Sequence, residues 1–196
     1  MLRPRVIPSL LLRDESIVKT IQFNKFKYIG DPCNTVRIFN ELEVDELFIN
    51  DILATIKNQR PNFKLLKDIA NECFMPLAYG GGIKCLDDAK QIFDIGFEKV
   101  LVNTNAIINP KLISEIANQY GSQAVVTSID VKKTLLRGKR VFNFSGKNNT
   151  QLDPLFWAKE VEERGSGEIL LTSIDNEGTW RGFDIELTLS IADNVS

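Results

Sequence analysis

Histidine is absent from all 196 residues. That excludes every arrangement in which an imidazole activates a serine or cysteine, so acid–base work falls to carboxylates, lysine, cysteine or tyrosine. Cysteine is scarce as well. Cys33, Cys73 and Cys85 form no Cys-x-x-Cys pair, so neither a disulfide framework nor a zinc site is indicated, and no metal or cofactor is expected. No apolar run approaches the roughly 18 residues that would suggest a membrane span. The opening MLRPRVIPSLLL is interrupted by Arg13, Asp14 and Glu15 too early for a secretion signal. A charge excess is missing too: 24 basic against 26 acidic residues give no support for a nucleic-acid or membrane partner. An enzyme-like cytoplasmic domain is the default expectation, and 43% hydrophobic residues suffice for a core.

What is present is alternation. Apolar strands are expected over 5–12 (RVIPSLLL), 45–51, 76–81, 99–104, 124–131 and 167–175, with helical patterns over 35–43, 62–74, 86–96, 110–121, 154–165 and 184–196. Strands that are apolar almost throughout, separated by helices, indicate a parallel sheet covered on both faces. Segment 132–150 breaks the rhythm, and LLRGKRVFNF within it predicts a small hairpin turning near Gly138.

An internal echo narrows the fold further. VIPSLLL resembles VVTSIDV, and DELFINDI resembles GEILLTSID, at offsets of 119 (Leu11 to Asp130) and 122 (Glu46 to Glu168). A repeated (βα)4 half would make an eight-stranded barrel of roughly 250 residues. The expectation is an α/β fold, a (β/α)8 TIM-type barrel of two half-barrel repeats. About six βα units are present here as a single domain over 1–196, with strands seven and eight missing.

In such a fold, chemistry gathers where strands end. The strand ends hold Leu11, Asp51, the glycines Gly80, Gly81 and Gly82, Asn103 with Thr104, Asp130, and Thr172-Ser173 with Asp175. Three glycines ahead of a helix suit a bound phosphate, and equally suit a tight turn. Asp130 follows an apolar run, where a carboxylate is costly unless used or paired, which makes it a candidate acid or base. At the opposite strand ends stand Arg5, Glu46, Lys99 and Glu168. They form either a ring of two cations and two anions or four solvated charges.

The stretches GDP (30–32), VDELFINDI (44–52), GGGI (80–83), KVLVNT (99–104), SGKNNT (145–150) and ERGSGEILLTSIDNEGT (164–179) resemble the HisF-like barrels, the cyclase subunit of imidazole glycerol phosphate synthase. The resemblance runs in order through nearly the whole chain. It implies a barrel paired with a glutaminase subunit, whose ammonia enters through the barrel floor and travels to the substrate at the other end. It makes Arg5, Glu46, Lys99 and Glu168 the gate for that ammonia, and places a substrate phosphate at Gly81, Gly82, Asn103 and Thr104. Lys19, Asp51, Asp175 and Glu177 are carried over as further substrate-binding positions.

One departure stands out. The family uses two aspartates, at the ends of strands one and five, as general acid and base. Strand five supplies Asp130, but Leu11 stands where the first aspartate belongs. Glu177 likewise replaces the usual aspartate, and bulky Trp180 follows it. Such a chain, with its KYIGDPCN loop (27–34), resembles a divergent branch found with a glutaminase and a third protein that amidates surface-polysaccharide sugars. The implied substrate is a small phosphorylated or nucleotide-sugar-type molecule. The alternatives are a histidine-pathway cyclase/lyase in which Asp51 or Asp14 replaces the missing carboxylate, and a scaffold that binds a glutaminase without chemistry.

Overall fold

A computed structural model describes residues 4–196, which separate into two compact units. The first comprises the chain up to Lys19 and Lys27–Leu101; the second comprises Thr20–Phe26 and Val102–Ser196.

In the first unit, β1 (Ser9–Arg13), β4 (Leu47–Asp51), β5 (Leu77–Gly80) and β6 (Lys99–Val102) lie side by side and parallel, with Leu11 opposite Asn50 and Ile49 opposite Tyr79. β5 and β6 are buried along their whole length, as expected of parallel strands covered on both faces. Helices α1 (Pro32–Glu41), α2 (Phe63–Asn71) and α3 (Leu86–Ile95) supply the cover. Leu66, Ile69 and Ile92 join Leu47, Ile49 and Val100 in the core.

α1 begins three residues before its expected start at Thr35. Asp31 caps it, accepting from the Asn34 N–H, and Pro32 fills the first turn, where its missing N–H costs nothing. β1 also begins later than expected, at Ser9 rather than Arg5, after Pro8.

A larger difference lies between β1 and α1, where β2 (Ser16–Ile21) and β3 (Asn24–Gly30) occupy a stretch with no expected element. Two-residue hairpin turns of the favoured kind need positive φ at both central positions and normally announce themselves with Asn-Gly or Asp-Gly. Here the positions are Asp14-Glu15 (φ 46° and 63°) and Gln22-Phe23 (φ 53° and 60°). Without glycine the usual signal is missing.

In the second unit, β7 (Val125–Thr134) pairs parallel with β10 (Glu168–Ser173), placing Thr172 beside Asp130. The hairpin expected near Gly138 is present: β8 (Gly138–Asn143) runs antiparallel to β7, and the short β9 (Asn148–Asn149) follows it. Around them lie α4 (Thr104–Ile108), α5 (Lys111–Tyr120), α6 (Pro154–Glu163) and α7 (Ile185–Ala192). α5 buries Leu112, Ile113 and Ile116, one helical stripe, while α6 contributes Trp157, Ala158 and Val161.

Candidate functional site

Asp130 is the most chemically poised residue of the second unit. It is only 7% exposed on β7. Asn103 Nδ2 donates to its Oδ2 at 2.7 Å, the Ser128 hydroxyl lies 3.5 Å from its Oδ1, and Thr172 on β10 adds a third hydrogen bond. Burial disfavours the carboxylate and pushes its pKa up to about 7, with the three hydrogen bonds offsetting part of that rise. A carboxyl in that range can both accept and return a proton near neutrality. Asn103 itself is left with a buried Oδ1 that has no hydrogen-bond partner among the described residues, so its amide is half satisfied.

Thr104, the first residue of α4, is buried, and its Oγ1 accepts from the Phe144 N–H at 3.0 Å. Phe144, Ser145 and Gly146 are three successive residues with positive φ, a tight left-handed loop behind Thr104. The structure thus joins Asn103 to Asp130 and Thr104 to this loop.

Gly81 and Gly82 lie in the first unit, and both have positive φ. A Cβ on Gly81 would stand 2.4 Å from the Asp51 carbonyl oxygen, and one on Gly82 would stand 2.6 Å from that of Gln59. The Gly82 N–H donates to Thr55 Oγ1 at 3.2 Å. The protein's own backbone therefore requires these residues to be bare, whatever else they bind. Asp51 ends β4 and holds the next turn, its Oδ1 accepting from the N–H groups of Leu53 and Ala54 at 2.9 Å each. Burial raises its pKa, which those two bonds partly counter. Beside it opens a cavity of about 510 Å³ lined by Asp14, Glu15, Lys57, Arg60 and Asn62 among others. Lys19 is exposed on β2.

Asp175 and Glu177 follow β10 and are engaged with backbone. Asp175 Oδ2 accepts from the Lys133 N–H at 2.8 Å. Glu177 accepts from the Thr20 hydroxyl at 2.6 Å and from the Phe23 N–H at 2.9 Å, fastening the β2–β3 turn. Leu11 sits mid-strand in β1 opposite Asn50 and Val18. Asn50 donates to Ser9 Oγ at 2.9 Å. This polar pair, in which Asn50 lies directly opposite Leu11 and Ser9 two residues before it, was not anticipated, because alternation alone marks strand faces without saying which polar residues meet.

At the opposite strand ends, Glu46 is 2% exposed and its Oε2 accepts from both Lys99 Nζ at 2.7 Å and Arg5 at 3.0 Å. Three of the four expected gate charges therefore form one cluster in the first unit. Glu168, half-buried, begins β10 in the second unit.

Known proteins resemble the chain over nearly its whole length. The family model described as histidine biosynthesis protein matches residues 5–196. A Pseudomonas aeruginosa protein, provisionally named imidazole glycerol phosphate synthase subunit hisF2, is 52% identical over 195 residues, covering all of this chain and 78% of its own length. A provisionally named HisF subunit of Leptospira borgpetersenii is 52% identical over 194 residues, covering 97% of this chain and 76% of its own. A hisF3 subunit of Vibrio vulnificus, named with the same reserve, is 44% identical over 187 residues, covering 95% and 72%. The chain belongs to the histidine biosynthesis protein family, as a divergent HisF-like member with the (β/α)8 TIM-type fold class.

Proposed function

We propose that this chain is the cyclase-type, ammonia-accepting subunit of a glutamine amidotransferase. In this reading a separate glutaminase supplies ammonia at the Arg5–Glu46–Lys99 end, and the recipient is a small phosphorylated or nucleotide-sugar-type substrate. The product serves amidation of a surface-polysaccharide sugar, together with a third protein, rather than histidine synthesis. The observation that carries this reading is Leu11. Two-carboxylate cyclisation needs a proton donor and an acceptor on opposite sides of the substrate, and Asp130 is one group. Loss of one member of such a pair commonly costs about 10²–10⁴-fold. Asp130, with its pKa near 7 and its Asn103 tie, remains suited to exchanging a proton with one bound group.

The names of the relatives favour a second reading, an imidazole glycerol phosphate synthase cyclase of the histidine pathway. One experiment separates the two. The protein and its glutaminase are supplied to a bacterium lacking the cyclase, and growth without histidine is scored. No rescue is expected; rescue that depends on Asp130 establishes the histidine reading instead.

A further inference from the structure

The β7–β8 hairpin, over 132–140, reads KKTLLRGKR: five cations, no anion, and two leucines at the turn. The whole-chain charge balance concealed this local excess. Thr134 and Gly138 form the last pair, so Leu135, Leu136 and Arg137 make a three-residue loop closed by Gly138 in the left-handed region. The loop is pinned. The Thr134 hydroxyl donates to the Gly138 carbonyl at 2.8 Å and accepts from the Arg137 N–H at 3.3 Å. At its tip Leu135 and Leu136 are 104% and 96% exposed, as accessible as in an open chain.

The strands behind the tip carry a second anomaly. Lys132 stands directly opposite Arg140, and Lys133 directly opposite Lys139. Like charges directly across an antiparallel pair destabilise it. Lys139 is relieved by Asp184 at 2.9 Å, and Arg140 has Asp153 at 3.8 Å. Lys132 and Lys133 are exposed, and neither side chain has a hydrogen-bond or ion-pair partner among the described residues. The tip leucines are poorly matched to water, and the like-charge pairs beneath them would be relieved by an anion, so the hairpin is well matched to a negatively charged, apolar-cored surface.

We propose that this hairpin is a membrane-surface contact, in which Leu135 and Leu136 enter the headgroup boundary and Lys132, Lys133 and Arg137 meet anionic lipid phosphates. The composition favours lipid over protein. Lysine is depleted at protein interfaces and leucine is under-represented among their energetic hot spots. Basic residues flanking a small apolar insertion are the pattern for peripheral attachment to anionic leaflets. The contact is independent of the reaction proposed above, since neither the tip leucines nor these cations touch Asp130.

The test is co-sedimentation of the full chain with phosphatidylcholine vesicles, with and without phosphatidylglycerol. Binding is expected only to the anionic vesicles and is expected to weaken as salt is raised. The Leu135→Gln/Leu136→Gln protein is expected to bind at least about tenfold more weakly. Replacing Lys132 and Lys133 by serine is expected to weaken binding by roughly fivefold for each cation and to flatten the salt dependence. Leu42→Gln, at an exposed position on the other unit, serves as control and should match wild type. All these positions are exposed, so folding is preserved. Equal binding to neutral and anionic vesicles overturns the proposal, as does undiminished binding by both double variants. Retention on heparin without vesicle binding assigns the hairpin to another polyanion and overturns it too.

Discussion

A carboxyl inside an apolar sheet is a poor anion, and the donors around Asp130 only partly relieve it. Its folded pKa near 7 stands above the unfolded value of 3.8, so between those values the native state holds the proton more tightly than the unfolded chain. Stability is therefore expected to fall as pH rises from about 4 to about 7, then level off. Asp130→Asn should remove that slope and stabilise the protein above pH 7 by up to a few kcal/mol, at about 1.4 kcal/mol for each pH unit separating the folded and unfolded values. Denaturant unfolding of both proteins across this range checks it; an unchanged slope places the proton elsewhere. Asn103→Leu acts in the opposite sense on the ionised form. It removes the 2.7 Å donor, so the Asp130 titration followed by carboxyl carbon NMR should move upward from about 7. Asp130 was legible in the sequence because an acid ending an apolar run is conspicuous. Its partnership with Asn103 was not, since a contact across 27 residues leaves no local trace.

At the scale of elements, the β2–β3 turn is held within the second unit by a loop distant in sequence. Glu177 engages Thr20 and Phe23, the Gln22 N–H donates to the Glu177 carbonyl at 2.9 Å, and Gln22 Nε2 donates to the Asp175 carbonyl at 2.9 Å. Gly178 makes the approach possible: it has φ 68°, and a Cβ there would lie 2.1 Å from the Thr20 carbonyl oxygen. Glu177→Ala leaves the buried Thr20 hydroxyl and the Phe23 N–H unpaired and is expected to cost about 2 kcal/mol. Gly178→Ala adds a backbone clash to a left-handed conformation and should cost roughly 2–4 kcal/mol. Denaturant midpoints report both losses, and limited proteolysis should show new cleavage within 20–26; unchanged patterns would mean that the turn is held by other contacts. The longer helices, with their caps and apolar stripes, were readable because those signals are local, whereas the five-residue α4, at the end of an expected strand, was not. The β2–β3 pair was not, because Asp14-Glu15 and Gln22-Phe23 adopt glycine-like turns without glycine, at about 1–2 kcal/mol per residue, and only contacts far along the chain compensate.

At the scale of the whole molecule, the proposed function requires that ammonia enter at one set of strand ends and act at the other, and the two ends make separable predictions. Lys99 donates to buried Glu46, so Lys99→Ala should uncouple glutamine hydrolysis from product formation while sparing reactions given free ammonium. Equal loss with both nitrogen sources identifies a structural ion cluster instead. The other end turns on Leu11. The internal repeat sets Leu11 against Asp130, and β1 offers only apolar and hydroxyl side chains across 9–12, so that strand holds no counterpart to the Asp130 carboxylate. The protein with its glutaminase should accordingly form little imidazole glycerol phosphate from the histidine-pathway substrate. Leu11→Asp returns a carboxylate to the strand, half-buried and directly opposite Asn50, and should raise that turnover by about 10²-fold or more where the loops still admit the substrate. Ammonium-dependent product formation by the two proteins side by side is the measurement. Robust activity in the unmodified protein, abolished by Asp130→Asn, would show that another group completes the pair and that the chain is a histidine enzyme. Activity gained only with Leu11→Asp would show that the barrel kept its binding site and lost the proton chemistry at one residue.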